Sequence, residues 1–152
     1  MTMNDQLVKQ LTNLRMFKSA LTSQRHKPIL VALLLRNFIR DGSTSAAFVE
    51  VEEEANDLIA RFAPSRSGPR AQYPFWRLQA DGFWEIDGAD KLELNRSGDP
   101  RVLDLRDPIH RGRWTPDALA ELERYGGERY LRTVLDRYFP DDGDEFLGVL
   151  GV

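Results

Sequence analysis

The sequence contains no cysteine. That excludes disulfides, thiolate metal sites and cysteine nucleophiles together, and it fits a reducing, cytoplasmic setting. Histidine is nearly as scarce: His26 and His110 stand 84 positions apart, in no HxxxH-type metal spacing. The longest apolar run, "PILVALLL", falls far short of the roughly 20 residues that span a bilayer. The opening "MTMNDQLVKQLTNL" is polar and amphipathic rather than a signal peptide, so a cytoplasmic protein with no membrane partner is expected. There is no Gly-rich phosphate loop, since "RSGP" is short and lacks the Lys-Ser/Thr pair, and no GxSxG elbow. "EVEEE" reads as the dipole-matched first turn of a helix, and Asp141, Asp142, Asp144 and Glu145 as a solubilising acidic segment. These absences leave no catalytic residue, no metal site and no small-molecule cofactor to expect.

What is present suits one globular domain of 152 residues, 41% hydrophobic and 30% charged. The net charge of −3 is unevenly spread. Residues 1–80 carry 11 basic against 7 acidic side chains, net +4, whereas residues 81–152 carry 10 against 17, net −7. Seven basic residues and no acid lie between Asp5 and Asp41, and four arginines and no acid between Asp57 and Asp81. Such windows suggest an anion-binding face; solvated helix faces are the alternative.

Leu7, Leu11, Leu14, Phe17 and Leu21 keep helical spacing, predicting a first helix over 4–21. "TSQRHKP" breaks it, and "PILVALLLRNFIR" predicts a central helix apolar nearly all round, ended by "DGST". A short strand is expected around Phe48–Val51, then a helix over "EEEANDLIARFA". After the loop "PSRSGPRAQ", the segment "YPFWRLQADGFWEI" reads as a β-hairpin turning at "ADG". "DGADKLELNRSGDPRVLDLRDPIHRGR" is turn-rich with one or two brief strands. Helices return at "TPDALAELERYG", capped by Thr115 with Pro116 at its first position, and at "GERYLRTVLDRYF", with a last helical turn in "PDDGDEFLGVLGV". The fold class is α+β: a mainly helical single domain with a buried central helix and a small antiparallel hairpin or sheet.

Two stretches carry chemistry. "RHKP" sets Arg25, His26 and Lys27 at a helix start, where unpaired N–H groups and the dipole favour phosphate; local packing of His26 is the alternative. In "YPFWRLQ", strand alternation would send Tyr73, Phe75 and Arg77 to one face and Pro74, Trp76 and Leu78 to the other. Phe75, Trp76, Leu78, Phe83 and Trp84 are expected to build core. Tyr73 and Pro74, beside the Arg-bearing loop, would form a small apolar patch next to positive charge.

Together, "RHKPILVALLL" and "YPFWRLQADGFWEI" resemble the sulfur-binding domain of phosphorothioation-dependent, McrA-like type IV restriction endonucleases, bacterial enzymes with an HNH nuclease domain. The likeness covers roughly residues 5 to 140. It implies a reader of double-stranded DNA whose backbone carries sulfur in place of one non-bridging phosphate oxygen. His26, Lys27, Tyr73 and Pro74 would form the shallow sulfur pocket. Arg25, Arg66, Arg70, Gln72 and Arg77 would meet neighbouring phosphates and bases. Ala71 and Arg77 depart from residues found in other members. Residues 81–152 hold no HNH motif, so binding without cleavage is expected of residues 1–152. A reader of unmodified or base-modified DNA, and a non-catalytic protein-interaction domain, are the rival readings; the oligomeric state stays open.

Overall fold

The computed structural model describes residues 6–16 and 25–152. The core is organised on α2 (His26–Asp41), in which every residue from Lys27 to Arg36 is buried. Each fully buried aliphatic side chain there contributes on the order of 1.5–3 kcal/mol. The helix starts two residues earlier than Pro28 suggested. Pro28 sits in the first turn, where its missing N–H removes no helical bond. Gly42, at φ 69°, closes the other end, its N–H returning to the Phe38 carbonyl at 2.9 Å.

α1 (Gln6–Thr12) is shorter than the heptad-like leucines implied. Tertiary hydrogen bonds take over where the helix stops: Leu14 N–H donates to the Tyr138 hydroxyl at 3.2 Å, and Arg15 N–H to Asp81 at 2.7 Å. The remainder of the expected first helix, including Phe17 and Leu21, lies outside the described residues.

The expected strand at Phe48–Val51 is displaced. β1 is Ser45–Ala47, and Phe48 already begins α3 (Phe48–Phe62). Glu50 explains the boundary, its carboxylate accepting from Ala47 N–H at 2.7 Å across the first turn.

The larger correction concerns the hairpin. Gln72–Arg77 is a helix, α4, continued by a 3-10 turn over Leu78–Asp81; only Trp84–Ile86, β2, is a strand. Pro74 falls within the first turn of α4, where a proline costs no hydrogen bond. "DG" serves here as a helix stop, with Gly82 at φ 92°. A short helix α5 (Val102–Leu105) follows, then β3 (Arg111–Trp114). β3 is the central strand, antiparallel to both others in the order β1-β3-β2, with Ala46 and Ile86 each opposite Gly112 and Trp84 opposite Trp114. Gly112 is obligatory: a Cβ there would overlap the Trp84 indole and the Phe75 ring.

α6 (Pro116–Tyr125) begins as expected, the Thr115 hydroxyl accepting from Ala118 N–H at 3.3 Å. α7 (Gly127–Tyr138) packs along α2 and α1. α8 (Gly143–Leu150) is a full helix where one turn was expected, because Phe146 stacks on Phe139 at 4.3 Å and meets Phe62 edge-on at 4.9 Å. Mainly helical with one small antiparallel sheet, the domain is α+β. Among the described residues no helix is long and apolar enough to cross a membrane.

Candidate nucleic-acid interface

The aromatic stretch divides by burial. Phe75, Phe83 and Trp84 are core residues, joined to Phe48 and Trp114 by ring contacts of 5.2–5.8 Å. Tyr73 stays half-buried on α4. Helical geometry stacks it one turn from Arg77, whose guanidinium lies 4.6 Å from the Tyr73 ring centre. Tyr73 and Arg77 thus share a face, as alternation also suggested, but through an i,i+4 relation. Pro74 is buried beneath that turn, so Tyr73 carries the exposed part of this wall.

α4 also organises a turn within the segment read as turn-rich, to which the sequence reading gave no place at the site. Leu94 and Pro100 bridge, and Asn95 Oδ1 accepts from Ser97 and Asp99 N–H at 2.9 and 3.1 Å. Trp76 Nε1–H donates to Gly98 O at 2.7 Å, while Arg77 forms a two-pronged pair with Asp99 at 2.9 and 2.5 Å. Asp99 is 3% exposed. The tip residue, Arg96, is exposed and makes no hydrogen bond or ion pair among the described residues. "NRSGD" carries an Asx-turn signature, which is the signal that marks it.

Between this turn and the start of α2 runs an open groove of about 630 Å³, mostly apolar, lined among others by Lys27, Trp76, Arg77, Ala80 and Gly98. Lys27 reaches it along a buried stem. Its ammonium is paired with Asp81 at 2.7 Å, in side chains 10% and 2% exposed respectively. The Asp81 carboxylate accepts from both Lys27 and Arg15 N–H, joining α2, the 3-10 turn and the chain after α1.

The other expected contacts scatter. His26, half-buried, donates from Nε2 to the Ala63 carbonyl at 3.3 Å and so turns toward the end of α3. Arg25 points toward the C-terminal helices. It pairs with Asp142 at 2.5 and 2.9 Å, donates to Tyr138 O and Phe62 O at 3.2 Å, and lies 4.5 Å from the Phe139 ring centre. Four of its five N–H groups are engaged in this way. The Arg25 guanidinium in turn holds the Asp142 carboxyl below its ordinary range, through hydrogen bonds. Arg66 and Arg70 sit exposed on the loop leading into α4, without a partner among the described residues, and Gln72 is that helix's half-buried first residue. The structure therefore brings Lys27, Trp76, Arg77 and, by stacking, Tyr73 to one surface. Arg66, Arg70 and Gln72 adjoin it in sequence, whereas Arg25 is directed into the fold.

Four cations of the acid-free windows are answered from the acidic half of the chain, Arg25 by Asp142, Lys27 by Asp81, Arg61 by Glu145 and Arg77 by Asp99, whereas Arg36 meets Glu54 and Arg40 meets Asp41. Among the described residues no group of three or more His, Asp or Glu side chains is placed to hold a metal.

The sequence model of the ScoMcrA-like DNA sulfur-binding domain matches residues 4–152. The chain belongs to that family. The sulfur-binding domain of ScoMcrA complexed with phosphorothioated DNA shares the fold at TM-score 0.80 and 18% identity, over 95% of this chain and 94% of that one. The SprMcrA domain, also complexed with phosphorothioated DNA, matches at TM-score 0.71 and 17% identity, over 99% and 94%. The type IV phosphorothioation-dependent restriction endonuclease ScoMcrA matches at TM-score 0.70 and 17% identity over 95% of this chain, which spans 32% of that enzyme. No curated protein matches.

Proposed function

We propose that this domain binds double-stranded DNA carrying a backbone phosphorothioate and serves as the targeting module of a modification-dependent restriction nuclease. The observation that carries the proposal is the groove beside α4: mostly apolar surface in which two of the three lining cations, Lys27 and Arg77, already have carboxylate partners. Sulfur is larger, more polarisable and less strongly hydrated than phosphate oxygen, so it loses less on leaving water for such a surface. An oxygen placed there loses hydration without equivalent hydrogen bonds, and discrimination arises from that penalty.

In this reading Tyr73, over Pro74, forms one wall of the sulfur site and the Lys27 stem the other, with His26 at the same helix start held toward the Ala63 carbonyl. Arg66, Arg70 and Arg96, exposed and without a partner among the described residues, hold neighbouring phosphates, with Gln72 at the head of α4 as a further polar contact. Arg25 contributes by fixing the start of α2 rather than by touching DNA. Residues 1–152 act as one recognition domain, and cleavage belongs to other parts of a full-length enzyme.

Titration with a duplex bearing one stereodefined sulfur against its oxygen twin tests the reading. Preferential binding of the sulfur duplex is expected. Equal affinity would instead support a reader of ordinary DNA using the unpaired arginines, and no binding at low salt would support a protein-interaction domain.

A further inference from the structure

We infer that Asp81 and Asp99 set the selectivity of the groove, by cancelling the charge of two of the three cations that line it. The inference rests on the phosphorothioate reading and adds to it the residues that penalise ordinary phosphate.

Three cations line the groove. Lys27 and Arg77 are each matched to one nearly inaccessible carboxylate: Asp81 has a side chain 2% exposed and Asp99 one 3% exposed. Arg15 is exposed and gives Asp81 only its backbone N–H, with no carboxylate partner for its guanidinium among the described residues. Outside the groove Arg66, Arg70 and Arg96 are exposed and carry no carboxylate partner among the described residues. Asp81 and Asp99 thus leave one uncancelled positive charge in the groove where three would otherwise stand.

That distribution has a chemical consequence. Both diesters carry one negative charge, so an uncompensated ammonium or guanidinium attracts either. It favours the oxygen form at least as much, because oxygen is the smaller and better hydrogen-bond acceptor. Each further free cation in the groove would repay an oxygen for its lost hydration and narrow the distinction. Once paired with a buried carboxylate, the same side chains present mainly their apolar stems, and the contest returns to hydration, where sulfur prevails. Asp81 is the stronger case, because its two acceptors are committed to Lys27 and to the Arg15 backbone.

The test compares the wild type, Asp81→Asn, Asp99→Asn, the double variant Lys27→Met/Asp81→Asn and Glu123→Gln. Glu123 is exposed on α6 and changes net charge equally without neighbouring the groove. Each is titrated with the sulfur duplex and its oxygen twin at several salt concentrations, its fold checked by circular dichroism. Asp81→Asn is expected to bind the oxygen twin about tenfold more tightly while gaining less for sulfur, so the selectivity ratio falls. Its salt slope on the oxygen twin should steepen by about one phosphate's worth of counterion release. The double variant, neutral again at that pair, should return the salt slope on the oxygen twin to the wild-type value. Glu123→Gln should leave the ratio unchanged.

A folded Asp81→Asn protein with the wild-type ratio and slope would overturn the inference. Should that variant not fold, Asp99→Asn decides the matter in the same way at the second pair. Equal binding of both duplexes by the wild type would instead count against the phosphorothioate reading itself, a separate failure.

Discussion

The Arg77 guanidinium stacks 4.6 Å from the centre of the Tyr73 ring while gripping Asp99 with two hydrogen bonds of 2.9 and 2.5 Å. One side chain thus couples the candidate sulfur wall to the turn that carries Arg96. Arg77→Ala removes the stacking and leaves the Asp99 carboxylate, 3% exposed, without its main cation. We expect a loss of about 2 kcal/mol, below the figure for a fully buried pair because the Arg77 side chain is 25% exposed. Arg77→Lys should recover less than half, since an ammonium cannot reproduce the two-pronged geometry. Denaturant midpoints at constant m-value check both.

Much of this arrangement was legible in the amino-acid order. The apolar run of α2, the Thr115-Pro116 start of α6 and the core role of Phe75, Phe83 and Trp84 follow from periodicity and capping, which are local. The α4 segment misled because Tyr-Pro disfavours helix at Tyr73 and its aromatics favour strand. Packing of Phe75 and Trp76 against the core overrode both preferences. Counting charge by window located the basic residues but not their partners, since Lys27 meets Asp81 and Arg25 meets Asp142 across 54 and 117 positions. Only the folded chain separates matched cations from unmatched ones.

A buried cation also ties acid stability to the fold. Arg36, 3% exposed, pairs with Glu54 at 2.5 and 2.6 Å and donates to Leu150 O at 2.9 Å. The Arg36 hydrogen bonds hold the Glu54 carboxyl below its ordinary 4.5, Arg25 holds Asp142 below 3.8, and Arg113 does the same for Asp87. Carboxyls with lowered folded-state values contribute stability that is complete above their unfolded values, near 4 to 4.5, and is lost as pH falls through the folded ones. Stability should be flat from pH 7 to about 5 and decline below that. Glu54→Gln should lower the neutral plateau and flatten the acid decline. Thermal melts across pH 3–7 read both; an unchanged acid limb would refute the Glu54 assignment.

The unmatched arginines should act on all DNA alike. Arg66→Ala, Arg70→Ala and Arg96→Ala are each expected to weaken sulfur and oxygen duplexes by similar factors. Each should reduce the slope of log affinity against log salt by about one. Tyr73→Ala should do the reverse, lowering the preference for sulfur with little change in slope. Fluorescence anisotropy at four or more salt concentrations distinguishes the patterns. A selective loss for sulfur in Arg66→Ala or Arg70→Ala would move that residue into the pocket.

Trp76 offers a way to test whether the turn must be rigid for Arg96 to work. Its indole is 9% exposed, and the Nε1–H anchors Gly98 O at 2.7 Å. Trp76→Phe keeps most of the apolar contact and deletes that donor, at a cost of about 1 kcal/mol for the lost hydrogen bond. Faster amide exchange should appear at Gly98 and Asp99, whose N–H groups hydrogen-bond to Asn95 within the turn. Exchange in α2 should stay unchanged if the effect is local. If the turn's order positions Arg96, Trp76→Phe should weaken DNA binding as Arg96→Ala does, and the two changes combined should be less than additive. Full additivity would mean that Arg96 reaches the phosphates whether or not the turn is held.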